Sequence, residues 1–463
     1  MKPKLIGWLA VIFVFISFTG VYADELTELK AQMKTMLEQN EAMKARMEEQ
    51  ARQLQTMQNK IEMLEVKGAQ NAGGTETSGE VAAKVKELEE NVQFLSEQQK
   101  EARSELLGRI KQNLYVTLEF ESFADSNSSF DARNIELLLE GEMTDRLKAF
   151  TEIEFERTAK TSGDTDNRAG EVEVEQGWVE YGINDYFNPR FGVVLVPFGR
   201  YNLEHFDPFQ NLTDRPIAMR RIIPTTWSEA GAGFTGRAAL DNSLGGGVFE
   251  DMSVDYQFFV VNGLTDEFTD TGTRNARGAY GSDSNNNKAT VGRLQFNVWG
   301  NQQFGVSSYY GQYDTAGNVA NGFDADWKLV KGPFEFKGEY VALALEEGGL
   351  ESGSTTTVPG YMSGYYVEAA YTFWFDFLNK TFLGRGFENP KFIGVLRYNE
   401  ATIDDDGDTN DGPNREDGTT IGFNYRPNET FIYKFEYQFN HATNEILERG
   451  DSDGFIGSVT AAF

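Results

Sequence analysis

The sequence contains no cysteine, only two histidines, and no apolar run of 18 residues after residue 23. The absence of cysteine excludes disulfide bonds, thiolate metal sites and covalently attached haem. The formal net charge of −30 argues against nucleic acid as a partner, because phosphate binding needs a basic surface. Two classes stay open: a water-soluble protein, and a transmembrane β-barrel, whose alternating strands give a weak hydropathy signal.

Residues 1–23 have the composition of a secretory signal peptide. Lys2 and Lys4 precede an apolar segment at residues 5–18, and small residues close the segment at Ala23. We expect cleavage before Asp24, since the apolar segment is short for a retained membrane anchor. The chain would then be exported, and without a cysteine it carries no lipid anchor.

Residues 24–67 predict a coiled coil. Ten of the twelve a and d positions over six heptads are apolar, and the segment up to Val66 has no glycine or proline. Residues 68–79 form a flexible linker, and the heptads resume over residues 80–112 as a second coiled-coil helix. The alternatives are a solvated single helix and a substrate-scanning rod, but self-association in the periplasm is the interpretation that we favour.

From residue 113 to Phe463 the hydrophobic period changes to two. Sixteen segments of about ten residues alternate apolar and polar side chains, the length that a tilted strand needs to cross a membrane. They begin near residues 113, 132, 146, 171, 189, 228, 252, 288, 302, 321, 334, 362, 390, 417, 430 and 454. The sequence therefore predicts an all-β transmembrane barrel of 16 antiparallel strands, preceded by an α-helical coiled coil.

The connections between these segments support the same fold. Those after odd-numbered strands tend to be long and polar and those after even-numbered strands tight, with exceptions at residues 242–251 and 375–389. This asymmetry is typical of barrels in the outer membrane of Gram-negative bacteria, which contact lipid and lipopolysaccharide. The terminal aromatic residue, Phe463, predicts recognition by the barrel assembly machinery.

Residues 197–227 stand out within the third long connection. They hold four arginines, one of the two histidines and four of the eleven prolines. We expect this loop to fold into the lumen and form a constriction, facing glutamates of the third strand and Glu171, Glu173 and Glu175 of the fourth. The candidate constriction residues are Arg200, His205, Arg215, Arg220, Arg221, Glu152 and Glu154. A basic loop opposite an acidic wall would set up a transverse field that sorts solutes and ions, although the same arginines could instead pin the loop to wall carboxylates.

The segment VLVPFGRYNLEHFDPF, followed by RP and IIPTTWSEAGAGFTG, resembles the phosphate-selective porin O and P family. The helical region ahead of it is similar to the periplasmic extension of some trimeric dicarboxylate-type porins. These resemblances imply a sixteen-stranded homotrimer with its third extracellular loop folded inward. The implied function is passive diffusion of small hydrophilic solutes or ions, with anions such as phosphate or carboxylates as one option.

Other interpretations rest on fewer residues. The coiled coil could tether the outer membrane to the cell wall, or the barrel could be the sheath of an electron-transfer complex. Residues 404–411 (DDDGDTND) could bind Ca²⁺ through carboxylate oxygens, or be an ordinary acidic outer loop. We expect neither an enzyme nor a cofactor, because His205 has no serine in a nucleophile motif to act on.

Overall fold

The structure is a computed structural model. It describes residues 110–156, 171–240, 252–268, 272–277, 286–346, 358–404, 414–443 and 451–463, and scattered positions between 52 and 97 that are helical. The signal sequence, the linker and most of both predicted coiled-coil segments lie outside the described residues. Contacts divide the chain into Met1–Arg109 and Ile110–Phe463. None of the described helical positions belongs to a helix of the length and apolarity needed to cross a membrane.

The second unit consists of sixteen strands. They are β1 (Ile110–Phe123), β2 (Ser129–Glu142), β3 (Leu147–Glu156), β4 (Glu171–Tyr181), β5 (Asn188–Leu195), β6 (Ser228–Leu240), β7 (Met252–Val261), β8 (Ala289–Val298), β9 (Gln302–Gln312), β10 (Val319–Lys331), β11 (Phe334–Leu345), β12 (Tyr361–Phe373), β13 (Lys391–Asp404), β14 (Asn414–Arg426), β15 (Phe431–Thr443) and β16 (Gly454–Ala462). Two short helices, α1 (Arg200–Leu203) and α2 (Ile217–Arg221), lie between β5 and β6. Single 3₁₀ turns occur at Asp207–Phe209, Arg274–Ala276 and Asp376–Lys380.

Each strand pairs antiparallel with its sequence neighbours, and the first pairs with the last. Val116 lies opposite Ala461 and Phe123 opposite Gly454, so β1 and β16 close the barrel and leave no free edge. The predicted fold is confirmed. Every predicted segment begins within three residues of an observed strand, because alternation of period two continues to the end of each strand.

The barrel has apolar side chains outside and polar side chains inside. On β15, Phe435 is 45% exposed and Tyr437 is 43% exposed, whereas the intervening Lys434 and Glu436 are buried. A soluble barrel would show the opposite polarity. An apolar outer face with a polar interior is the arrangement of a protein that spans a membrane by strands.

The largest apolar cluster lies within the lumen. Trp227 packs against Tyr309 and Phe198, at ring-centroid distances of 5.1 and 6.0 Å, and Met219 of α2 belongs to the same cluster. The cluster joins the connection between β5 and β6 to the inner faces of β5 and of β7 through β13. We call the barrel end that carries the connections after odd-numbered strands the long-loop end, and the other the short-turn end.

Candidate functional site

The connection 197–227, here called the constriction loop, lies inside the barrel. Every residue of it except Phe209 is buried or half-buried. It contacts side chains on widely separated strands, including Glu152 on β3, Asp326 on β10 and Glu436 on β15. The loop therefore crosses the lumen from wall to wall.

Asn202 closes the base of the constriction loop. Its side-chain amide donates to the backbone oxygens of Val196, at 2.8 Å, and Trp227, at 3.0 Å, while its oxygen accepts from the Trp227 amide at 2.8 Å. One buried side chain thus satisfies backbone groups at both ends of the loop. Because a buried unpaired backbone group is costly, this arrangement fixes where the chain leaves the wall and returns to it.

The first turn of the loop approaches the barrel wall at a glycine. Gly199 has a φ of 84°, and a side chain there would collide with the carboxylate of Glu339. Its amide donates to the Ser307 hydroxyl at 3.2 Å, and the amide of Tyr201, two residues further on, donates to Glu339 at 3.0 Å. The backbone itself is therefore bonded to β9 and β11.

Arg200 is a pinning residue. Its Nε donates to Asp326 at 2.8 Å, and its terminal nitrogen donates to Glu204 at 2.9 Å and to Gln303 at 2.8 Å. Arg293 of β8 pairs with the other oxygen of Asp326 at 2.6 Å. Because Arg200 is only 2% exposed, its positive charge interacts with the wall formed by β8 to β11.

His205 lies on the opposite side, against β3 and β4. Its Nδ1 lies 3.1 Å from the Asn202 carbonyl oxygen, and its Nε2 lies 3.0 Å from Glu175 and 3.3 Å from Glu152. Burial disfavours the charged imidazole, but Glu175 and Glu152 together raise the pKa of His205 well above its ordinary value.

A β-bulge aims Glu175 at His205. The register between β3 and β4 shifts at Glu152, so that Glu175 and Gln176 are consecutive residues that both face the lumen and are buried. Gln176 donates to Glu152 at 2.6 Å. The bulge therefore brings two carboxylates and an amide to one spot on the wall.

The middle of the loop is held through its backbone carbonyls. Lys434 donates to the Asp207 oxygen at 2.8 Å, Arg426 to the Pro208 oxygen at 3.1 Å, and Arg397 to the Asp214 oxygen at 2.9 Å. These cations come from β13, β14 and β15. The basic side chains of this wall thus position the loop.

Arginines gather at the long-loop side of the constriction. Arg215 and Arg274 both donate to the Thr225 carbonyl oxygen, the latter at 3.2 Å, and Arg277 donates to the Thr226 oxygen at 2.7 Å. Arg274 and Arg277 belong to the connection between β7 and β8, which covers the constriction loop. The Thr273 amide donates to the Arg221 carbonyl oxygen at 2.8 Å, which fastens the two connections together.

The structure separates the seven sequence-predicted residues into three groups. Arg200 lies against β8 to β11, His205 lies with Glu152 and near Glu154 at β3, and Arg215, Arg220 and Arg221 lie at the long-loop side. Arg220 is 3.6 Å from Asp214. The proposed calcium segment lies outside the described residues beyond Asp404.

Three residues of this region were not predicted from the sequence: Glu136, Arg274 and Arg277. Glu136, like the predicted wall residue Glu175, lies at a lumen-facing position of an alternating segment, so the period-two pattern contained the signal that could have identified it. Arg274 and Arg277 occur in a segment that reads as an ordinary polar loop. Nothing local indicates that this loop packs on another one.

Comparison with known proteins agrees with the geometry. The family model for phosphate-selective porins O and P matches residues 108–459. A relative described only as an uncharacterised protein of Aquifex aeolicus is 24% identical over 362 residues, 73% of this chain and 76% of the relative. Among solved structures, Salmonella typhi OmpF in complex with daunomycin covers 76% of this chain and 97% of its own, with 12% identity and a TM-score of 0.50. An anion-selective porin from Comamonas acidovorans covers 76% and 99%, with 12% identity and a TM-score of 0.48. Because the family match spans nearly all of the closed barrel, the chain belongs to the phosphate-selective porin O and P family and is an outer-membrane channel for solute diffusion.

Proposed function

We propose that the protein is a passive channel for small hydrophilic solutes in which the constriction loop sets the width and the charge of the passage. The observation that carries this proposal is the loop itself, which lies buried inside a closed barrel and is bonded to β3, β10 and β15. Diffusion through such a barrel needs no catalytic group, only a radius and an electrostatic field. Both would be set here by one segment of chain.

The charges support a transverse field at the constriction. Arg215 of the loop is half-buried and lies near wall carboxylates. Desolvation and Arg133 lower the pKa of Arg215, but Tyr201, Glu154 and Glu175 outweigh them and raise it. The arginines and the glutamates thus face each other across a short distance. A field of this kind orients dipolar solutes and separates ions by sign.

The arginines further favour small anions, such as phosphate or carboxylates, as the preferred solutes. Two guanidinium groups, those of Arg215 and Arg274, meet at one carbonyl oxygen, and Arg277 donates to the next. Like charges held this close repel each other, and an anion between them would relieve the repulsion. Guanidinium groups also match phosphate and carboxylate oxygens in pairs.

The test removes Arg274 and Arg277, which lie on a connection and not on a strand. We expect the double variant to Ala to shift the reversal potential under a KCl gradient toward cations and to lower anion conductance several-fold. The matched control replaces two exposed cations at the short-turn end by Ala and should leave the reversal potential unchanged. These are Lys331, the last residue of β10, and Arg385, on the connection between β12 and β13. An unchanged reversal potential in the first variant would exclude the arginines as an anion site.

We also propose that the barrel assembly machinery recognises Phe463, which the aromatic character of this residue supports.

We further propose that the barrel assembles as a homotrimer through the N-terminal helices, which lie in the periplasm. This proposal is supported by the heptads of residues 24–67 and 80–112. Deleting residues 25–107 should give barrels that conduct singly instead of in threes. If permeability and trimers survive while envelope attachment fails, the helices are a tether to the cell wall instead.

A further inference from the structure

Four buried side chains converge where the constriction loop meets β2, β3 and β4. Glu136, Glu152, Glu175 and His205 each present a possible ligand atom, and all four atoms lie within 4.8 Å of one another. None of these residues is more than 3% exposed. Three carboxylates in so small a buried space are unfavourable unless positive charge lies among them.

The hydrogen bonds of His205 determine which of its nitrogens faces the carboxylates as a possible ligand. The Asn202 carbonyl oxygen can only accept, so Nδ1, at 3.1 Å, carries a hydrogen. Nε2 then points at Glu175 and Glu152, 3.0 and 3.3 Å away. In the neutral ring its lone pair would face two anions, so either a proton or a metal ion must lie between Nε2 and the carboxylates. A histidine held by Nδ1–H to a backbone carbonyl, with Nε2 toward carboxylates, is a common arrangement of metal ligands.

Glu136 distinguishes these two possibilities. Its Oε1 accepts from Asn134 at 2.9 Å, but its Oε2 accepts no hydrogen bond from any residue that the structure describes. The hydroxyl of Tyr115 on β1 lies beside this carboxylate and makes no hydrogen bond of ordinary geometry, so at most a long contact joins the two groups. A proton on His205 would serve Glu152 and Glu175 but not this oxygen, so Glu136 would need a proton of its own. A metal ion could serve all three carboxylates.

We propose that Glu136, Glu152, Glu175 and His205 bind a divalent first-row transition-metal ion, of which Zn²⁺ is the representative, and that the ion fastens the constriction loop to the wall. One imidazole nitrogen with carboxylate oxygens is a ligand set that such ions accept, whereas Ca²⁺ and Mg²⁺ prefer oxygen alone. Tetrahedral Zn²⁺ with bonds of about 2.0 to 2.2 Å needs ligand atoms about 3.4 Å apart. The two contacts of Nε2, at 3.0 and 3.3 Å, are close to this spacing, and no two of the four ligand atoms are more than 4.8 Å apart.

The experiment uses the full chain without a histidine tag, refolded in detergent, stripped with chelator and titrated with ZnCl₂ by calorimetry. We expect one Zn²⁺ per chain, no comparable binding of Mg²⁺, and a rise in the unfolding temperature with Zn²⁺. Glu136→Gln, which keeps size and shape, and His205→Gln should each weaken Zn²⁺ binding at least ten-fold. His441→Ala is the matched control, since His441 is the other histidine and is exposed beside Asp417 on β14.

The outcomes separate the metal from a proton and from the acidic loops. Loss of affinity in Glu136→Gln with binding intact in His441→Ala would establish the site, even if His205→Gln does not refold. Equal affinity in the wild type and in folded Glu136→Gln would overturn it and assign the Zn²⁺ to other carboxylates. No Zn²⁺ bound to the folded wild type would also overturn it and leave a protonated His205. None of these results depends on whether the channel prefers anions.

Discussion

At the scale of single residues, the interior is held by charged and amide side chains, and apolar packing is confined to part of the lumen. Asn202, Arg200 and Lys434 each bond the constriction loop to itself or to the wall from fully buried positions. Buried polar groups are costly when unpaired, so such a network has few alternative arrangements. The loop is therefore expected to keep one conformation in the lumen.

Arg200 tests this claim about the network. Replacing it with Gln removes the 2.8 Å pair with Asp326, and we expect a loss of about 2 to 3 kcal/mol in the free energy of unfolding. The loss lies at the low end for a buried pair because Asp326 keeps its 2.6 Å contact with Arg293. Equilibrium unfolding by denaturant in phospholipid vesicles measures it.

Arg237→Ala is the control for that measurement. Arg237 pairs with Asp255, but its side chain is 65% exposed, and an exposed pair contributes about 1 kcal/mol or less. A loss of similar size in both variants would mean that the pairs inside the lumen are as well hydrated as those at its opening. The loop would then be a loose insert in a wide, wet channel.

At the scale of elements, regular alternation made the strands predictable, and departures from it were not. The starts of all sixteen strands followed from period two. The bulge in β4 did not follow from it. One extra residue in a short segment changes the alternation of apolar and polar side chains too little to be detected in the sequence. Yet that bulge places Glu175 beside His205.

The outward face of the strands allows a prediction about how deep individual residues lie in the membrane. Ile421 lies at the middle of β14 and is 54% exposed. We expect Ile421→Arg to lower the free energy of unfolding in vesicles by about 2 to 4 kcal/mol, the cost of arginine at the bilayer midplane.

Phe439 provides the matched position near the long-loop end of β15. Phe439→Arg should cost about 1 kcal/mol or less, since the membrane interface tolerates charge. If both substitutions lower the free energy of unfolding by the same amount, positions 421 and 439 do not lie at different depths in a bilayer. The outward apolar face would then not span a hydrocarbon layer as the strands imply.

At the scale of the whole molecule, the class of protein could be predicted from the sequence more completely than the contacts inside the lumen. A polar lumen inside an apolar wall follows from alternation, and the unusual composition of residues 197–227 indicated where the lumen would be narrowed. The partners of the individual arginines did not follow. They depend on which strands face each other across the lumen, and on the connection between β7 and β8 packing onto the constriction loop.

The central claim is that the constriction loop sets the passage through the barrel. The measurement that tests it most directly is single-channel conductance in planar bilayers, comparing residues 24–463 with the same chain in which residues 201–224 are replaced by a short glycine-serine turn. We predict low conductance in the intact chain, a several-fold rise in the shortened one, and the same heat-resistant barrel in both. Equal conductance in two folded barrels would contradict the account, because the constriction loop would then not limit the flow of ions through the barrel.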